Sequence, residues 1–169
     1  MKKLLVIVIA AVLAAGGGFW YWRVVNSDER KIVRVLEACA ETAGFRQGES
    51  QAGAFLKLRK LEDLLTTEVD VIIRIQGRTY QVRLPRKEII QRLAAARKMT
   101  SNLDIELSDL NVTVDGDEAV ADASVQFKIA GGGADKYRDS AVEEVRFTLT
   151  KADGSWRVSA VRAKDFMER

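Results

Sequence analysis

The chain opens with an uncharged run of 19 residues, Leu4 to Trp22, reading LLVIVIAAVLAAGGGFWYW. As a helix this run spans about 28 Å, close to the hydrocarbon core of a bilayer. From Arg23 onward the pattern is that of a folded domain. Ile32, Val35, Leu36, Cys39 and Ala43 recur at helical spacing. Asn26 or Ser27 can cap this helix, Asp28 and Glu29 suit its first turn, and Gly44 ends it. Phe45 to Gly53 reads as a loop. A second helix follows, with Phe55, Leu58, Leu61 and Leu65 on one face and Lys57, Arg59, Lys60, Glu62 and Asp63 mostly on the solvated other.

The period then falls to two. Val69, Val71, Ile73 and Ile75 alternate with their neighbours, Gly77 supplies a turn, and Tyr80, Val82 and Leu84 alternate again, which is a β-hairpin. Pro85 opens a third helix, Pro85–Lys98, whose apolar side carries Ile89, Ile90, Leu93, Ala94 and Ala96. The remainder alternates: Leu103, Ile105 and Leu107 lead on to Val112 and Val114, and the turn Asp115-Gly116-Asp117 follows. Next come Ala119, Ala121, Ala123, Val125, Phe127 and Ile129, and then the loop Gly131-Gly132-Gly133. Val145, Phe147 and Leu149 precede the turn Asp153-Gly154, and Trp156, Val158 and Ala160 begin the last strand. The order ααββαββββ predicts an α+β domain, helices first, with a mostly antiparallel sheet.

Charge places the domain relative to a membrane. Lys2 and Lys3 precede the apolar run, and Phe19, Trp20, Tyr21 and Trp22 end it as an interfacial aromatic cluster. Residues 1–25 are therefore expected to be a single-pass anchor with its N-terminus in the cytoplasm. Residues 26–169 are then a domain outside the cytoplasm, on a cytoplasmic or inner membrane. The alternative is a signal peptide cleaved near the small residues Ala14 to Gly18, releasing a secreted domain. A lipoprotein does not fit, because Gly17 stands where the modified cysteine belongs.

Composition excludes several chemistries. The whole chain carries 27 basic and 24 acidic side chains, interspersed in sign, with no basic stripe for nucleic acid. It has no histidine, hence no imidazole base, Ser–His or Cys–His pair, or imidazole metal ligand. The single cysteine, Cys39, cannot form an intramolecular disulfide and lies on the first helix's apolar stripe, as a buried core residue would. The triple glycine lacks the following lysine and helix of a phosphate loop. No metal site or cofactor is expected.

The succession of elements resembles the NTF2-like superfamily, also called cystatin-like or SnoaL-like, over about Asp28 to Phe166. The residues that carry this are the opening helices, the short helix Pro85–Lys98, and the closing Phe147-Thr148-Leu149-Thr150-Lys151-Ala152-Asp153-Gly154-Ser155-Trp156-Arg157-Val158. The resemblance implies a cone, in which a strongly curved sheet wraps helices around a cavity. Some members are enzymes with an Asp or His in that cavity, and others are binding or assembly modules, several of them anchored in envelopes.

Candidate sites follow from this. Phe55, Leu58, Tyr80, Phe127 and Trp156 are expected to line a cavity if one exists, or otherwise to fill the core. Asp70, which shares a strand face with Arg74, and Asp122 are the carboxylates a base would need. Outward placement, or pairing with residues such as Arg146, is the plainer expectation. No catalytic residue is assigned. The expected function is an anchored binding or assembly module that meets an envelope protein or a second copy of itself. The alternative is a SnoaL-like small-ligand binder or enzyme with a buried carboxylate.

Overall fold

Three helices and six strands form in the predicted order in a computed structural model, which describes residues 27–75, 78–131 and 138–163. The Leu4–Trp22 run, the Gly77 turn and Gly132-Gly133 lie outside the described residues. Among the described residues, no helix is long and apolar enough to cross a membrane.

Helix α1, Asp28–Ala43, starts where the Ser27 hydroxyl accepts from the Arg30 amide at 3.4 Å. Its stripe buries Ile32 and Leu36 completely against the sheet. Gly44 ends it without a positive φ. A Cβ at this position would lie 3.2 Å from the Leu103 carbonyl oxygen and 3.3 Å from that of Ala40, so the close approach of chains favours glycine. The last turn of α1 holds no basic residue. Arg97, from another helix, supplies the missing charge: its guanidinium donates to the carbonyls of Thr42 at 3.0 Å and Gly44 at 3.4 Å, and to Glu49 at 2.9 Å. It also lies 5.1 Å over the Phe45 ring. Carbonyls left open by the helix end are thereby satisfied. The expected loop is thus partly fixed: Phe45 is buried and bonds Leu103 through both backbone groups.

Helix α2 spans Gln51–Leu64, so Gly53 falls in its first turn, where its amide bonds the capping Ser50 hydroxyl at 3.1 Å. Only the far end of α2 reaches the core: Leu61 is buried, while Phe55 and Leu56 stay exposed. Leu65 belongs to strand β1, Leu65–Ile75. Strand β2, Arg78–Pro85, pairs with it antiparallel, and α3, Arg86–Met99, follows directly. Strands β3, Thr100–Asp115, β4, Glu118–Gly131, β5, Arg138–Ala152, and β6, Ser155–Ala163, complete the sheet.

The strand order is β2-β1-β6-β5-β4-β3. Every pairing is antiparallel except β1 with β6, which is parallel and makes the sheet mixed. Register shifts in β3 near Asn102 and between Ser108 and Asn111, and in β6 opposite Thr148, bend the strands as bulges do. Asp109 sits in the second β3 bulge at φ 52°. The two tight turns obey hairpin rules. Asp153 and Gly154 both have positive φ, as a type I′ turn needs, while Gly116 alone does so in its turn, as at the first central position of type II′. Alternate residues of β4, Ala119, Ala121, Ala123 and Val125, are buried beneath the helices, together with Val145, Leu149, Trp156 and Val158.

Candidate functional site

Midway along the sheet the helices and strands do not meet completely, and a cavity of about 310 Å³ remains. Helix α1 contributes Leu36, Cys39, Ala40 and Ala43 to its wall. Leu61 and Leu65 come from the α2–β1 junction, and Ile89 and Leu93 from α3. The sheet floor is Ile105, Leu107, Val125, Phe127, Val145, Phe147 and Val161. Ala40 and Ala43 present only methyl groups to this space. Helix and strand backbones stay apart by the width that the larger neighbours set.

The wall is hydrocarbon throughout except for one thiol. Burial pushes Cys39 up to about 12, so it is a neutral S–H at physiological pH and a poor nucleophile. None of the described lining residues carries a carboxylate, hydroxyl or amine. Among the described residues, no cluster of three or more Cys, Asp or Glu side chains fits a metal ion.

Of the five residues expected to line a cavity, only Phe127 is on the wall. Phe55 is 63% exposed and Tyr80 46% exposed, because the first turns of α2 and the end of the β1–β2 hairpin extend past the covered part of the sheet. Leu58 is half-buried but off the wall. Trp156 is buried in the core beside the start of α1, where its ring carries the Lys151 ammonium at 5.5 Å. The lining residues that were not singled out, among them Ile105, Val125 and Phe147, were readable only as alternating apolar positions. Nothing in the sequence sets Phe147 or its aliphatic neighbours at mid-strand apart from other inward positions.

The carboxylates are elsewhere. Asp70 takes two hydrogen bonds from Arg83 across the β1–β2 pair, at 2.8 and 3.3 Å, and that contact holds it below the usual carboxylate range. Asp122 takes two from Arg146 on the neighbouring strand, at 2.9 and 3.1 Å, which raises the Arg146 pKa. Both acids alternate with inward residues and so face away from the cavity. Lys128 and Glu106 make a third cross-strand pair on this outer face.

One carboxylate does tie distant segments together. Asp28, at the start of α1, accepts from Lys151 of β5 at 3.0 Å and from Lys31 at 3.2 Å. Its pKa falls to about 2, through the Lys151 hydrogen bond first and the Trp156 indole next, against partial burial. The indole Nε1 is buried and meets no acceptor in full hydrogen-bond geometry, so it acts on Asp28 as a nearby N–H dipole. This node joins the start of α1 to β5 and is not part of the cavity wall.

Comparison with known proteins comes down to fold and family. The family model described as SnoaL-like domain matches residues 57–162. No curated protein matches the sequence. A protein from Kribbella flavida has a similar structure, with a TM-score of 0.68 at 17% identity, over 81% of this chain and 89% of that one. An NTF2-like protein with a cystatin-like fold from Novosphingobium aromaticivorans gives 0.61 at 16% identity, over 89% and 88%. A candidate dehydratase of the NTF2-like family from Streptomyces avermitilis gives 0.59 at 16%, over 80% and 94%. At such identities the structural likeness shows the fold alone, an α+β NTF2-like arrangement of helices on a mixed six-stranded sheet. With more than half of its length matched by the family model, the chain belongs to the SnoaL-like family.

Proposed function

We propose that this chain is a non-catalytic SnoaL-like binding module whose cone takes a small apolar molecule, held at a membrane by residues 4–22. The observation that carries the ligand is the chemistry of the wall: about 310 Å³ of space bounded by aliphatic and phenyl groups. Water finds almost no hydrogen-bond partners on such a wall, whereas an apolar molecule gains contacts there. The volume is about twice that of the ~150 Å³ apolar cavity that admits benzene, which suits a ligand of about ten to twelve non-hydrogen atoms. Alkylbenzenes and short acyl chains have that size and character.

The enzymatic reading rests on the candidate dehydratase among the similar structures. Acid–base chemistry needs a proton donor or acceptor within hydrogen-bond reach of the substrate. The only titratable group on the described wall is Cys39, held neutral by burial. The binding reading is therefore preferred. The anchored, extracytoplasmic placement is supported by Lys2, Lys3, the uncharged run and its aromatic end.

The test is titration of the full chain in lipid nanodiscs with a series of alkylbenzenes, read by isothermal calorimetry. Val125→Phe, which fills the wall, is expected to weaken binding at least tenfold. Occupancy is also expected to slow what little alkylation Cys39 undergoes. Binding that ignores Val125→Phe, or turnover of a substrate by the purified protein, would sink the proposal.

A further inference from the structure

A second cleft, of about 480 Å³, opens where the α1–α2 connection meets the end of α3. Its wall differs in kind from that of the cone. Arg46, Arg97 and Lys98 line it, and Glu49 is the one acid among its described lining residues. Glu49 is already bonded twice, to Lys57 at 2.7 Å and to Arg97 at 2.9 Å. The side chains of Arg46 and Lys98 have no bonded partner among the described residues. Arg97 is nine-tenths buried, and its bonds to Glu49, Thr42 and Gly44 hold the guanidinium in place. Its Nε is buried without an acceptor. A cation fixed in this way needs no reordering when an anion arrives.

The other polar groups of the wall narrow what can bind. The Thr100 and Ser101 hydroxyls each donate to a carbonyl at 2.9 Å, so they are spent as donors. Helix α2 opens on the cleft through Gln51 and Ala54, and its first turn holds no acidic residue. Ser50 satisfies the Gly53 amide, while that of Gln51 has no acceptor among the described residues. The positive end of this helix is therefore uncompensated at the cleft. The end of α3 brings carbonyls to the same place, but the amide and hydroxyl of Thr100 both bond Ala96 and blunt their effect.

We propose that this cleft binds a phosphate monoester, with Arg46 and Lys98 as its direct contacts and Arg97 as a fixed charge behind them. Three cations against one carboxylate leave two positive charges, which match the charge of about −1.5 to −2 on a monoester near neutral pH. A carboxylate ligand balances only one of them. The Arg46 guanidinium can take two phosphate oxygens as a fork, and the Lys98 ammonium acts as a point charge. Such a group occurs on free compounds and on the headgroup of phosphatidic acid. The rim has apolar surface for the rest of either: Met99, on the wall, is 78% exposed, and Phe55 and Leu56, which follow Ala54, are exposed as well.

The test is calorimetric titration of the full chain in detergent micelles with phenyl phosphate, dihexanoyl phosphatidic acid and benzoate. Both phosphate probes are expected to bind at least tenfold more tightly than benzoate. Arg46→Ala with Lys98→Ala should weaken them at least tenfold. Lys87→Ala with Arg92→Ala removes as much charge from α3 outside the cleft and should weaken them less than twofold. Circular dichroism checks that each variant keeps its fold. Phosphatidic acid binding tenfold more tightly than phenyl phosphate assigns the site to a lipid headgroup, and any smaller ratio assigns it to a free monoester. Absence of saturable binding by both monoesters would overturn the proposal, as would equal losses in the two double variants or benzoate binding as tightly. Val125→Phe, which fills the cone, should leave phosphate binding unchanged, so the cone and this cleft stand or fall separately.

Discussion

Asp28 shows how much one side chain can hold at a distance. It joins the first turn of α1 to the strand that carries Lys151 and to the Trp156 indole. Its folded pKa of about 2 lies below the unfolded value of about 3.9. The sign follows from linkage: the folded state binds the proton less readily, so this contact stabilises fully above about pH 4 and is lost as pH falls through about 2. Lys151→Met is expected to remove most of that dependence. Urea midpoints taken between pH 5 and pH 2 would show a flatter profile in the variant, and parallel profiles would refute the assignment. Core residues such as Leu149, which is fully buried, act differently. Their contribution is packing and does not titrate.

The turns hold the sheet together at the scale of its elements. Gly154, at φ 74°, sits beside Asp153 at φ 51° in the β5–β6 turn, and open space surrounds the position where a Cβ would stand. A side chain there costs backbone strain and nothing else. Gly154→Ala is expected to destabilise by about 1 kcal/mol, and Gly154→Asn by clearly less, since asparagine tolerates left-handed backbone. Thermal melts of the three proteins would check this. Equal losses for Ala and Asn would mean that the turn is not set by φ. The same turn brings Lys151 and Trp156 to the start of α1, so strain here loosens their hold on Asp28.

At the scale of the whole molecule, the start of α1 and the β5–β6 turn at Gly154 lie at one end of the domain, joined by Asp28 and Lys151. Ser27 precedes α1 at the end where Asp28 meets Lys151 and Trp156, and β6 starts at that end. The positive-inside bias of Lys2 and Lys3 predicts that this domain lies outside the cytoplasm, with Arg23, Arg30 and Lys31 as a modest counterweight. An alkaline phosphatase fused after Arg169 is expected to be active in a bacterial host and a cytoplasmic reporter dark. The reverse pattern would overturn the orientation, and loss of the native N-terminus from membrane-bound protein would point to a cleaved signal.

What the sequence determined alone was whatever depends on neighbours a few residues apart. The order of helices and strands, a cap for the first helix at Asn26 or Ser27, and the Asp-Gly turns were legible because periodicity and backbone preference are local, whereas the Ser50 cap inside the expected loop was not. The lack of imidazole chemistry was legible too, being a matter of composition. Tertiary structure alone decided the parallel pairing of β1 with β6, since it joins segments about ninety residues apart that carry no mutual signal. It also decided the fate of each apolar residue. Phe55, Tyr80 and Phe127 look alike in the sequence, yet the first two are exposed and the third walls a cavity. Alternation says which side of a strand a residue takes, but not what lies opposite. That depends on where helices from elsewhere in the chain cross the bent sheet, and on the gap they leave between them.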